Sequence, residues 1–182
     1  MTPNRLRPPA GDEHIPILPA ALSASIGEFI ACWAGTATLL TLLLADLVAG
    51  KSLTDEDDIG PASVVIGMGT RIQLGLVKTP GNARTGKRFA PTIHGLVDEL
   101  EKSKAQRDFL AHAIWSPGTK GRMVAHSVKT VGKARYVKRS VSPVDVHKHI
   151  VALTKTSASL VKFFQTHGFL SAYTEGSRGR FY

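Results

Sequence analysis

Cysteine is nearly missing from this chain. Cys32 is the only one in 182 residues, so no intrachain disulfide can form, and no Cys/His cluster has the spacing of a zinc site. A reducing, cytoplasmic setting fits such a composition, and neither a metal nor a cofactor is expected. Cys32 lies among Ile30, Ala31 and Trp33 and reads as a small buried hydrophobe rather than a reactive thiol. Acidic residues are scarce as well: 14 Asp and Glu stand against 23 Lys and Arg, a formal charge of +9. Such an excess attracts polyanions, nucleic acid or an anionic membrane face, unless it serves solubility alone. The first 20 residues have prolines and charges but no apolar core, so they read as a flexible arm rather than a signal peptide. There is no internal repeat and no low-complexity block.

What the chain does have is helical patterning, enough for one mainly α domain. The stretch from Phe29 to Val48 is apolar over 20 residues, long enough to span a bilayer. Thr36, Thr38, Thr41 and Asp46, the small Ala34, Gly35 and Ala37, and Glu28 just before it favour the central helix of a soluble bundle instead. That helix is expected to start at Ser23 or Ser25 and to reach Ala49 before Gly50. After an acidic loop at Asp55 to Asp58, Pro61 opens a second helix with Val65, Met68, Ile72 and Leu76 at helical spacing, ended by the break Thr79-Pro80-Gly81-Asn82. A third helix runs from Pro91 or Thr92 to Trp115. Residues Arg122 to Val128 and Ala134 to Val137 are β-prone and make a small hairpin. Ser142-Pro143-Val144-Asp145 then opens a last helix that ends near His167-Gly168. The expected architecture is an antiparallel helical bundle with a small β-hairpin between the third and last helices. Its parts are an arm at 1–20, a helical domain at 21–168 and a tail at 169–182.

Chemistry concentrates at the end of the third helix, in Arg107-Asp108-Phe109-Leu110-Ala111-His112. At about 100° per residue, Leu96, Leu100, Ser103, Arg107, Leu110 and Ile114 fall within roughly an 80° arc, so Arg107 interrupts an apolar stripe. Either its guanidinium snorkels out or pairs with Asp46 or Glu101, or the stripe opens onto a functional cleft. Asp108 and His112, four apart, share a face, where the carboxylate could orient the imidazole for proton transfer. Arg107 lies about 140° around the axis from His112, so two copies of the helix end in one cleft would assemble these groups more readily than one.

The pattern Arg-Asp-x-x-x-His followed by Trp115, after a long apolar first helix holding Trp33 and before a hairpin and last helix, resembles the HEPN superfamily (higher eukaryotes and prokaryotes nucleotide-binding) over roughly Ile26 to Phe164. The resemblance implies a helical bundle that dimerises through its motif helices and, in active members, metal-independent endoribonuclease chemistry. It would give Arg107 the reacting phosphate, His112 a proton-transfer role, and Asp108 the task of keeping the site polar and oriented. A non-catalytic nucleotide-binding, RNA-binding or protein-interaction module of the same fold is the alternative. Arg84, Lys87, Arg88 and Lys104 could guide RNA toward the cleft and Trp115 could stack a base, against the plainer readings of a solvated charged face and a core aromatic. Lys120, Arg122, Lys129, Lys133, Arg135, Lys138 and Arg139 make the hairpin basic. His94, His126, His147, His149 and His167 are scattered and read as surface or packing residues.

Overall fold

The computed structural model describes residues 17–49, 65, 67–120, 122–129 and 135–170. Most of the arm and tail, the acidic loop at Asp55 to Asp58 and the start proposed at Pro61 lie outside the described residues. Four helices and one sheet follow in chain order: α1 (Ala20–Ala49), α2 (Thr70–Thr85), a 3-10 turn (Lys87–Phe89), α3 (Ala90–Ala111), β1 (Ile114–Pro117), β2 (Met123–Lys129), β3 (Arg135–Val141) and α4 (Pro143–Thr166). The class is the expected one, mainly α with a small antiparallel β element between the third and last helices.

α1 is long and apolar enough to cross a membrane, and it packs against α2, α3 and α4. Phe29, Trp33, Leu40, Leu43, Leu44 and Leu47 are buried there. Each such side chain removed from water contributes on the order of 1.5–3 kcal/mol. Its polar residues are satisfied locally or across the core. Thr36 Oγ1 shares a 2.9 Å hydrogen bond with Ser157 Oγ of α4, and the Asp46 carboxylate accepts the Leu170 backbone N–H at 2.8 Å. α1 starts before the serines expected to cap it. The Pro19 carbonyl accepts the N–H groups of Leu22 and Ser23, and Ser25 Oγ bonds back to the Ala21 carbonyl inside the helix. Past Gly168, which carries φ 82°, the chain folds back so that Phe169 and Leu170 are buried.

α2 departs most from the sequence pattern. It runs straight through Pro80, although a proline there deletes the N–H for the Leu76 carbonyl. Tertiary packing overrides the local break, because Leu74, Val77 and Gly81 on either side are buried. A Cβ at Gly81 would stand 3.3 Å from Phe164 Cζ and 3.4 Å from Ile93 Cδ1, so glycine permits the close approach of α2 to α3 and α4. Ile72 and Leu76, expected inward, are 57% and 37% exposed. The buried face instead includes Gln73, whose amide donates to Thr41 Oγ1 at 3.0 Å and to the Val65 carbonyl at 3.1 Å.

α3 stops at Ala111 rather than Trp115, and the residues after it form β1, which makes the expected hairpin a three-stranded sheet. β1 pairs antiparallel with β2 (Trp115 opposite Ala125), and β2 with β3 (His126 opposite Lys138). α4 begins as expected, with a full capping box: Ser142 Oγ accepts the Asp145 N–H, and the Asp145 carboxylate accepts the Ser142 N–H.

Replacing Ser142 with Ala should cost about 1 kcal/mol in urea unfolding. Phe164→Ala, which empties the position against Gly81, should cost about 3–5 kcal/mol. Equal losses from the two would mean that Phe164 does not hold the α2–α4 contact.

Candidate functional site

Ile93, Val97 and Leu100 are buried on α3. With about 100° per residue, Lys104 continues that strip at its centre, and Arg107 and Asp108 lie about 50° to either side. The inward strip is thus rotated roughly 65° from the stripe drawn through Leu96, Arg107 and Ile114, and Ile114 is 76% exposed in β1. Apolar burial resumes at Phe109 and Leu110, around the axis and toward the sheet. The charges can sit on the strip because it opens there onto a cleft of about 290 Å³ lined by Arg71, Leu74, Glu101, Lys104, Ala105 and Asp108.

One carboxylate of this wall holds two cations, Lys104 in the wall and Arg107 beside it. Asp108 Oδ2 accepts from Lys104 Nζ at 2.5 Å and Oδ1 from Arg107 Nη1 at 2.7 Å, all three side chains being about a third exposed. Partial burial works against the charged carboxylate, but the hydrogen bonds from Lys104 and Arg107 outweigh it and hold Asp108 below the usual carboxylate range. Arg107 Nε is buried and has no acceptor among the described residues. Arg107 therefore pairs with neither Asp46 nor Glu101: Asp46 takes the Leu170 N–H, and Glu101 lies 3.8 Å from Lys78.

The expected Asp108–His112 pair does not form. His112 is the C-cap of α3, with φ −113° and ψ 8°, and its backbone N–H closes the helix on the Asp108 carbonyl at 3.2 Å. Its ring is no longer carried on a helical turn above Asp108, whose two oxygens are taken by cations one turn back and one residue back. The imidazole is exposed and makes no hydrogen bond to a described residue. Arg107, Asp108 and Lys104 are thus one cluster, and His112 stands next to it in sequence as an accessible titratable group.

The other candidate residues divide between the two ends of α3. Arg84, Lys87 and Arg88 precede Ala90, about 25 Å along the helix axis from Arg107. Arg84 Nε donates to the Leu47 carbonyl at the end of α1, and the Arg88 guanidinium lies 4.6 Å over the Phe89 ring. These cations do not share the cleft with Lys104 and Asp108. Trp115 is half-buried in β1, opposite the fully buried Ala125, and packs against the core.

A second, smaller cavity of about 170 Å³ flanks α3 on the sheet side, lined by Gln106, Leu110, Arg139, Asp145 and His149 among others. Arg139 donates to Gln106 Oε1 at 3.0 Å and its guanidinium lies 4.8 Å over the Phe109 ring. Burial pushes the His149 imidazole below its ordinary value, with Arg139 adding to the effect and Asp145 opposing it. Sequence reasoning missed Arg71, Gln106 and His149. Only the pairing of α3 with α2 on one side and with β3 and α4 on the other brings them beside the motif.

No family model matches the chain, and no curated protein or solved structure is significantly similar to it.

Two pH dependences follow from this geometry. The Asp108 carboxyl is held below 3.8, so its contribution to stability is present above that pH and is lost as pH falls through the folded value. The stability gap between the protein and Asp108→Asn should therefore be larger at pH 7 than at pH 3 in urea titrations, and a gap independent of pH would remove the clamp. Folded His149 titrates below 6.5, so the unfolded chain takes up its proton first and stability declines as pH drops below that value. His149→Leu should flatten the decline between about pH 7 and 5; an unchanged slope would place the dependence elsewhere.

Proposed function

We propose that this chain acts on RNA as a HEPN-like endoribonuclease, with the end of α3 as its reacting element. The observation that carries the reading is a Lys104–Asp108–Arg107 cluster, about a third exposed, whose Lys104 and Asp108 line a cleft, with the exposed imidazole of His112 just past the helix end making no hydrogen bond to a described residue. Asp108 fixes two cations with one negative charge, which leaves a net positive charge for a phosphate. In this role it is a positioning residue, and the group it positions is Arg107 rather than His112.

In the reaction the ribose 2′-oxygen attacks the adjacent phosphorus, the bond to the 5′-oxygen breaks, and the products carry a 2′,3′-cyclic phosphate and a 5′-hydroxyl. Arg107 stabilises the charge that builds on the phosphoryl oxygens. His112 takes the proton from the 2′-hydroxyl. The leaving 5′-oxygen needs a proton in return, and the equivalent imidazole of a second copy would supply it if two α3 ends met across a dimer axis. That requirement makes a homodimer part of the proposal.

A second reading, an RNA-binding or nucleotide-binding module of the same architecture without turnover, is favoured by one feature: among the described residues none hydrogen-bonds the His112 ring to orient it. A buried orienting partner is the usual companion of a catalytic histidine.

Mixed RNA incubated with the protein in EDTA should yield 2′,3′-cyclic ends. His112→Ala and Arg107→Ala should each lower the rate about a hundredfold or more, and the protein should elute at twice the 19.5 kDa of one chain. Equal cleavage by all three proteins would sink the catalytic assignment. Binding without cleavage would favour the second reading.

A further inference from the structure

Strand alternation gives the sheet two unlike faces. Met123, Ala125 and Val141 are buried toward the helices. Ile114, Ser116, His126, Tyr136 and Lys138 stand on the other face by register. There Ile114 is 76% and Tyr136 64% exposed. No described helix covers Ile114 or Tyr136.

The open face is organised. His126 Nε2 bonds Ser116 Oγ at 2.6 Å, and its Nδ1 bonds the Tyr136 hydroxyl. One imidazole thus ties β1 to β3 and fixes the Tyr136 ring, which lies tilted at 35° with its centroid 5.7 Å from that of His126. An exposed aromatic ring held in this way loses little freedom when a planar group stacks on it. Lys138, directly across from His126, is exposed and has no ion pair with a described residue. Arg122 reaches over the same face, donating through Nε to Ser140 Oγ at 2.8 Å, with its far end on Asp145 at 2.6 Å.

The sequence between Asp108 and Asp145 is rich in cations, and Asp145 itself is bonded to Arg122. From Phe109 to Val144 there are 36 residues with seven Lys or Arg and no Asp or Glu. A globular surface meant only to be soluble mixes both signs. An exposed lysine beside an aromatic platform and a small apolar neighbour, with Arg122 close by, matches a phosphate and an unstacked base of a single strand.

We propose that the open face of the β1–β2–β3 sheet binds single-stranded nucleic acid, Tyr136 stacking a base and Lys138 and Arg122 meeting backbone phosphates. The face begins at Ile114, two residues after His112, so a strand lying on it runs toward the end of α3. Only that last step rests on the ribonuclease reading. Binding stands on its own.

A labelled oligodeoxythymidine of about twelve nucleotides separates the two, because it lacks the 2′-hydroxyl and cannot be cleaved by the proposed route. Fluorescence anisotropy should show binding that weakens with salt. Tyr136→Ala should reduce affinity about tenfold, whereas Tyr136→Phe, which keeps the ring but loses its tether to His126, should lose clearly less than Tyr136→Ala. Lys138→Ala should lower the magnitude of the log–log salt slope by about 0.7, and Lys155→Ala on α4 should leave it unchanged. Parent-like affinity in both Tyr136→Ala and Lys138→Ala, with unchanged circular dichroism, would overturn the proposal. So would binding to phosphatidylserine vesicles but not to the oligonucleotide. Oligonucleotide binding without any RNA cleavage supports the sheet while removing catalysis, and cleavage by a protein that does not bind the oligonucleotide does the reverse.

Discussion

An apolar helix of 30 residues has to be covered, and the rest of this fold is arranged around covering α1. α2, α3 and α4 each pack against it, and the polar side chains it carries inward find partners on those neighbours: Ser157 on α4 for Thr36, Gln73 on α2 for Thr41. Both threonine hydroxyls also donate within α1, to the carbonyls of Cys32 and Ala37, so the cross-helix bonds serve the partners, above all the buried Gln73 amide; a buried polar group left unpaired costs about 1–3 kcal/mol. The cross-helix bonds also fix how the helices are set about α1, since apolar contacts alone would tolerate sliding. Asp46 extends the constraint to the end of the described chain. Its carboxylate accepts the N–H of Leu170, a residue held at φ 59°, where a non-glycine backbone is disfavoured.

Once α1 is covered, the rotation of α3 is determined, and with it the place of the charged cluster. Ile93, Val97 and Leu100 point to the core, so the next turns must point Lys104, Arg107 and Asp108 along the same strip. A buried triplet of charges would be ruinous there, and a fully exposed one would hold no fixed geometry. The cleft beside α2 gives an intermediate setting, about one third exposed, in which the ion pairs are screened only in part. That setting accounts for a carboxyl held below its usual range despite the opposing effect of burial.

Much of this was legible from residue patterns, and the failures share one cause. The capping box at Ser142 and Asp145, the end of α4 at His167-Gly168 and the long α1 are local signals, written in neighbouring residues. Pro80 is also a strong local signal, and it misled, because the force that carries α2 through it comes from Phe164 and Ile93 packed on Gly81. The rotated face of α3 and the exposed Ile72 have the same origin: periodicity tells that a helix has an apolar side, while the neighbour decides which of two similar sides is covered. At the site, the composition of the motif was evident, but its pairing was not. Asp108 had cations at 104 and 107 and an imidazole at 112 within reach by spacing, and a full positive charge competes better for a carboxylate than a histidine that has left the helix.

That competition bears on what the motif can be. If Asp108 served His112, a single copy would hold an oriented base and a loose arginine. With Asp108 committed to Lys104 and Arg107, a single copy holds an oriented cation pair and a loose imidazole. The first arrangement would favour catalysis within one chain; the second would favour gripping a phosphate and would leave the imidazole to be oriented by something else. A second α3 end could do this, and so could RNA itself, arriving over the basic sheet that begins two residues beyond His112. Both routes place the missing constraint outside the single chain, so the proposed chemistry depends on what binds beside the site.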